Sequence, residues 1–277
     1  MTATRFAPSP TGLLHKGHAF SALTASETAR ALGGRFVLRI EDIDFTRCRP
    51  QFEAAIFEDL AWLGLTWETP VLRQSEHIDD YLAALETLRG KGLVYRSFKT
   101  RREIALASLS APHGAGEGPR DARPTAAEEA ARLAAGEPFA WRLDLAAAEA
   151  AAGPLTFVEA GAGPAGEGGA VAVDAGPAGD VVLARKDVGV AYHLAVVVDD
   201  ARQQITDVVR GADLFEATHV QRLLQALLGL PEPRYHHHRL VVGADGRRLA
   251  KRDRAETLRA IRERGVTAQA LRRELGF

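Results

Sequence analysis

The stretch RFAPSPTGLLHKGHAFSAL, residues 5–23, constrains the fold more than any other part of the chain. A short apolar run at 4–7 is cut by Pro8 and Pro10 and turns at Thr11-Gly12. From Gly17 to Leu32 small and apolar residues then recur at helical spacing, and Gly33-Gly34 supplies the stop. A buried strand that passes through a tight turn directly into a helix opens a parallel α/β sheet. The segments after Gly34 fit that start. FVLRI (36–40) is a continuous apolar run suited to a core parallel strand, and Pro50 sits where FEAAIFEDLAWLG begins a helix. A second helix is expected from about Ser75 to Arg89, with LVY (93–95) returning as strand. The expectation is a doubly wound parallel sheet with an inserted α+β subdomain and a short C-terminal helical segment.

Composition bounds the chemistry. The 277 residues can bury a sizeable core, and a formal net charge of −1 gives no global positive field for nucleic acid, so RNA contacts would need local basic patches. The single cysteine, Cys48, excludes internal disulfides and multi-cysteine metal sites and fits a reducing compartment. MTATRFAPSP has no apolar signal core and no stretch approaches membrane-spanning length, so a cytoplasmic protein with no membrane partner is expected.

Residues 99–180 differ in character, with helix-prone runs broken by Gly and Pro and three short strand-like segments, FAWRLDL, LTFVE and AVAVD. The expected divisions are 1–98 and 181–243 for the two halves of a nucleotide-binding fold, 99–180 for an insertion, and 244–277 for a basic loop with terminal helices. Within 181–243, DLFEATHVQRLLQALLG (213–229) reads as an amphipathic helix closed by Gly229 and Pro231.

The loop and helix start after the first strand lie at the carboxyl edge of the sheet, where α/β folds bind ligands and backbone N–H groups favour phosphate. His15 and His18 flank Gly17, whose missing side chain lets the backbone approach a nucleotide. Two imidazoles there can donate to phosphate oxygens as charge builds in a transition state. The alternative is that both rings simply cap and pack the helix start. DGRRLAKRD (245–253) is a tight basic turn, and a loop of this type can bring Lys251 onto a leaving pyrophosphate. The run His236-His237-His238 reads as strand, so neighbouring rings face opposite sides, core and surface, with one able to face a nucleotide.

In combination these segments resemble class I aminoacyl-tRNA synthetases. RFAPSPTGLLHKGH is similar to the HIGH signature with the lead-in of the glutamyl branch, and RRLAKRD to a degenerate KMSKS loop, departing from it at Ala250 and Arg252. LRIEDIDFTR (38–47), AYHLAVVVDD (191–200) and TDVVRGADL (206–214) also resemble glutamyl-tRNA synthetase segments in order and spacing. Few residues come after the KMSKS-like loop, and Val196 stands where full-length enzymes often have asparagine. Within the family the resemblance therefore points to the truncated paralogues that glutamylate the queuosine base in the anticodon loop of tRNA-Asp.

The resemblance implies a set of roles. His15, His18 and Lys251 would stabilise the phosphoryl transition state, and Pro10, Gly17, His18, Leu249 and Lys251 would bind ATP, with Mg2+ on its phosphates. Arg5, Ala7, Ser9, Glu41, Tyr192 and Arg210 would bind L-glutamate, the arginines reading carboxylate and Glu41 facing the ammonium. Glu41 could equally be a strand-end carboxylate paired with Arg39 or Arg47, and Tyr192 an ordinary core tyrosine. Many relatives carry a zinc knuckle here, but in YRSFKTRRE Ser97 and Lys99 occupy the cysteine positions, so no zinc and no metal ligands are expected. A monomer is expected. Two rivals remain, a minimal enzyme charging the tRNA 3′ end and an idle glutamate or nucleotide sensor.

Overall fold

β1 (Ala3–Phe6) is buried along its whole length and pairs in parallel with β2 (Arg35–Ile40) on one side and β10 (Asp207–Gly211) on the other. The computed structural model describes residues 2–99, 123–185, 189–241 and 256–277. Beyond β2 lies β3 (Leu72–Arg73), and beyond β10 lie β11 (Arg234–His238) and β6 (Thr156–Glu159), all parallel. An antiparallel β7 (Gly169–Ala172) closes that edge, giving the order β3-β2-β1-β10-β11-β6-β7. The order runs outward in both directions from β1 and β10, so a switch point lies between them.

Helices cover both faces. α1 (Lys16–Ala31) buries Ala19, Phe20, Ala22, Leu23, Ala25 and Ala29, and it shares a core with Leu38 and Ile40 of β2 and with Ile56 and Leu60 of α2 (Pro50–Trp62). On the other face α3 (Ile78–Gly90), α6 (Tyr192–Arg202) and α7 (Phe215–Leu228) pack through Tyr81, Leu194 and Leu223. Proline at the first turn of α2 and the left-handed Gly229 after α7 act as start and stop, as the sequence suggests. No helix among the described residues is long and apolar enough to cross a membrane.

The segment 99–180 is distributed differently from the expectation. Residues 100–122 lie outside the described residues; α4 (Ala126–Ala134) and α5 (Leu145–Ala152) come next. Of the three strand-like segments only FAWRLDL, as β5 (Ala140–Leu143), stays apart from the main sheet. It joins β4 (Val94–Ser97), β8 (Val182–Arg185) and β9 (Gly189–Val190) in a separate antiparallel sheet. LTFVE and AVAVD supply β6 and β7 and extend the main sheet. The strand at 93–95 therefore opens the small sheet and does not return to the parallel one. Short strands carry an inside–outside alternation but no label of the sheet they complete, and tertiary pairing decided this.

Two short helices, α8 (Leu258–Glu263) and α9 (Ala268–Leu275), pack beneath the start of α1. Leu258 N–H donates to the Leu14 carbonyl at 2.8 Å, and Lys16 pairs with Glu274.

Candidate active site

The turn after β1 is held by its own histidines. His15 is the N-cap of α1, and its Nδ1 accepts from Gly17 N–H at 3.1 Å, while His18 Nδ1 accepts from His15 N–H at 3.1 Å. This is a reciprocal capping box built from two imidazoles whose ring centres stand 3.8 Å apart. With both Nδ1 atoms accepting, each neutral ring must carry its proton on Nε2, so the cap also sets the tautomers. The cap leaves Nε2–H as the donor of both rings. Gly17 has a second reason to be glycine: a Cβ there would stand 3.0 Å from His15 Cε1 and displace the ring.

Both histidines line a cleft of about 410 Å3 at the carboxyl ends of β1 and β10, the switch point of the sheet. Arg5, Ala7, Ser9, Gly17, Glu41, Tyr192 and Arg210 line the same cleft, so nine of the predicted positions converge on one space. Pro10 is the exception. It stands behind the wall, where its carbonyl accepts from Arg49 N–H at 3.0 Å and ties the turn to the start of α2. Leu249 and Lys251, with the arginines at 247, 248, 252 and 254, lie outside the described residues.

The two cleft arginines sit in different electrostatic settings. Arg5 is compensated: its Nε donates to Asp200 Oδ1 at 3.1 Å and NH1 to the Val209 carbonyl at 3.3 Å. Asp200 also accepts from Arg39 NH1 at 2.8 Å, and Arg39, fully buried, reaches Glu41 Oε1 at 3.2 Å. Burial pushes against ionising Asp200, but Arg5 and Arg39 outweigh it and hold its carboxyl below the usual range. Glu41 goes the other way, raised by burial despite Arg39 and Arg5. A cation brought beside Glu41 would relieve that strain on its charge.

Arg210 is buried with neutral partners. NH1 donates to Gln221 Oε1 and NH2 to Thr218 Oγ1, both at 2.7 Å, and Nε donates to His237 Nε2 at 3.2 Å. Arg210 and His237 are cross-strand partners in the β10–β11 register. Because His237 Nε2 accepts, its Nδ1 carries the proton and donates to Glu159 Oε2 at 2.5 Å. Burial, with Arg210 adding to it, drives the His237 pKa down to about 4 against the pull of Glu159, so the ring is neutral at physiological pH. Glu159 thus reaches the guanidinium only through that imidazole. Arg210 lines the cleft with no carboxylate in direct contact among the described residues: such a group is complementary to an anionic ligand.

Ser21 and Arg239 are lining residues that the sequence reading missed, and it left open which ring of the histidine run faces the cleft. His238 Nδ1 donates to the Arg239 carbonyl at 2.9 Å, so Nε2 accepts from Ser21 Oγ at 2.8 Å. Ser21, His238 and Arg239 thereby gather at the His18 end of the cleft, with the Arg239 guanidinium 4.6 Å over the Phe20 ring. The strand reading of the histidine run was the only available signal, and its alternation holds: His237 backs Arg210 and His238 faces the cleft. Glu159, 78 residues from His237, left no local signal at all. Among the described residues no group of three or more His, Cys, Asp or Glu could hold a metal ion.

Comparison with known proteins bears on the same features. Residues 1–276 match the family model of class I tRNA synthetases (E and Q), catalytic domain. The chain is 48% identical to the glutamyl-Q tRNA(Asp) synthetase of Rhodobacter capsulatus over 99% of both chains. It is 41% identical to the enzyme of the same name from Symbiobacterium thermophilum, over 100% of this chain and 86% of that one. A crystal structure of a glutamate tRNA ligase from Elizabethkingia meningosepticum in complex with its amino acid superposes with a TM-score of 0.72 at 28% identity. That match covers 91% of this chain and 52% of the ligase. With its histidine-capped turn at the switch point of the sheet, the chain belongs to the class I tRNA synthetases of the glutamate and glutamine group.

Proposed function

We propose that this chain activates glutamate with ATP and passes the glutamyl group to the queuosine base in the anticodon loop of tRNA-Asp. The observation that carries the first half is the charge pattern of the cleft. Among the described residues Arg210 has no contacting carboxylate, and burial raises the Glu41 carboxyl despite Arg39 at 3.2 Å, a pattern that complements a ligand bearing a carboxylate and an ammonium group. Arg5, Ala7, Ser9 and Tyr192 complete the amino-acid end. Gly17, His15 and His18 form the phosphate end, to which Leu249 and Lys251 of the KMSKS-like loop are assigned by resemblance.

A glutamate carboxylate oxygen attacks the α-phosphorus of ATP, a P–O bond forms, and pyrophosphate leaves with its electron pair. The Nε2–H groups of His15 and His18 donate to phosphate oxygens as charge develops. Magnesium accompanies ATP and, when bound, neutralises phosphate charge; no cluster of described side chains is needed to hold it. In the second step an acceptor hydroxyl oxygen attacks the glutamyl carbonyl, AMP departs with the electron pair, and its phosphate takes the hydroxyl proton. The second half of the reading is supported by the near end-to-end similarity to relatives named for queuosine-directed activity.

Activation without tRNA is checked by exchange of labelled pyrophosphate into ATP with glutamate, glutamine or aspartate. Fast exchange with glutamate alone is the expected result. No exchange with any amino acid contradicts activation and returns the idle sensor.

A further inference from the structure

Glu159 bears on Arg210 without lining the cleft. It ends β6, is buried (2% exposed), and lies beside Tyr235 in the β6–β11 register. Its Oε1 accepts from Gly161 N–H at 2.8 Å and from His237 N–H at 2.9 Å, and its Oε2 accepts from His237 Nδ1 at 2.5 Å. The backbone after β6 is shaped to allow this. A Cβ on Gly161 would stand 2.9 Å from Glu159 Oε1 and 2.6 Å from the His237 carbonyl, so the close approach requires glycine.

The His237 ring between Glu159 and Arg210 is clamped. Its side chain is fully buried, lies parallel to the Tyr235 ring at 6.1 Å between centres, and meets Phe215 edge-on at 5.2 Å. A carboxylate only accepts and a guanidinium only donates. The neutral ring therefore has one workable tautomer, with Nδ1–H toward Glu159 and Nε2 accepting from Arg210 Nε at 3.2 Å. Thr218 Oγ1 also stands 3.2 Å from that Nε2, and it accepts from Arg210 NH2 at 2.7 Å. Proton position on one buried ring thus governs two of the contacts that hold the guanidinium.

We propose that Glu159 is a positioning residue for substrate recognition: by fixing the proton of His237 on Nδ1 it keeps an acceptor behind Arg210 and so aims the guanidinium at a carboxylate in the cleft. His237, Thr218 and Gln221 hold one N–H on each nitrogen of Arg210, so the planar group has no freedom left to turn. An amide at position 159 would reverse the relay. Its oxygen would stay with the two backbone N–H groups, its NH2 would donate to His237 Nδ1, and the ring proton would move to Nε2. That Nε2–H would then confront Arg210 Nε–H, donor against donor, or take Thr218 Oγ1 from Arg210 NH2. The inference rests on the reading that Arg210 receives a glutamate carboxylate, and its test separates the two.

Long-range proton–nitrogen NMR spectra of the wild-type protein report which ring nitrogen of His237 is protonated. Nδ1–H is the expected form, and Nε2–H overturns the proposal whatever the variants do. In pyrophosphate exchange, Glu159→Gln should raise the KM for glutamate roughly tenfold or more, the scale of a lost hydrogen bond to a charged group, and leave the KM for ATP unchanged. Glu159→Asp keeps an acceptor-only carboxylate and should lie nearer wild type than Glu159→Gln, although the amide is the closer fit in shape. A packing role predicts the reverse order. That order, wild-type KM for glutamate in Glu159→Gln, or equal rises in both KM values overturns the positioning role. Wild-type protein that exchanges with no amino acid overturns the glutamate reading instead, and the tautomer then still decides the relay.

Discussion

Arg5 and Arg210 carry the same charge at the same cleft, and their neighbours divide the labour between them. Asp200 offsets Arg5, so that guanidinium is held whether or not a ligand is present. Arg210 has Gln221, Thr218 and His237 fixing three N–H directions of a planar fork, with no carboxylate in contact among the described residues. Replacing Arg210 with Ala should cost about 2–4 kcal/mol in kcat/KM for glutamate exchange, the range for removing one partner of a desolvated charge pair. Arg210→Lys should recover little of it, because an ammonium cannot reproduce the fork. Steady-state exchange kinetics check both, and a Lys variant within threefold of wild type would contradict the bidentate reading. Resemblance identified Arg5 and Arg210 from the sequence, but not the difference between them. That difference depends on Asp200 and on Glu159 acting through His237, contacts made across strands that no local spacing encodes.

Helix α2 brings an unusual group to its interface with α8. Asp59 is fully buried, neither carboxyl oxygen has a hydrogen-bond partner among the described residues, and Arg262 NH1 stays 3.9 Å away. Burial pushes its pKa up to about 6, against the pull of Arg262 and Arg259. Between the ordinary aspartate range near 4 and about 6 the folded chain holds a proton that the unfolded chain has released, so this group lowers stability as pH rises through that window. Asp59→Asn should therefore stabilise the protein by about 1–2 kcal/mol at pH 7.5, with the gain gone near pH 3.5. Urea unfolding at the two pH values measures it, and equal effects at both would refute it. The end of β4 makes a second case at this scale. Ser97 pairs with Ala140 in the small sheet, and the Arg96 guanidinium lies 4.4 Å over the Trp141 ring, so strand pairing and stacking hold the segment for which the sequence supplies no cysteine ligands. Metal analysis should find no stoichiometric zinc, and strong chelator should leave the melting temperature unchanged; about one zinc per chain would contradict this. Strands β1 and β2 and helices α1, α2 and α7 were legible because each carries its own run and its own stop. The pairing of β6 and β7 with the main sheet was not, since four-residue strands fit either sheet equally well.

Across the whole molecule, the carboxyl end of the main sheet and the small sheet meet along Tyr192, with the main cleft on one side and a smaller cavity of about 270 Å3 on the other. The position of the cleft was readable in advance, because a strand broken into a helix at the first crossover sets the carboxyl edge where ligands bind. The acceptor is a different matter, since activation chemistry is common to enzymes that charge a tRNA end and enzymes that modify a base. Destination of the glutamyl group is thus the central claim, and it is tested on tRNA itself. Labelled glutamate is offered with ATP to tRNA-Asp carrying queuosine, to the same tRNA with guanine at that position, and to the modified tRNA stripped of its 3′-terminal adenosine. The account predicts label on both queuosine-containing forms and none on the guanine form. Label that requires the terminal adenosine and ignores the modified base would contradict it and assign the chain to 3′-end charging.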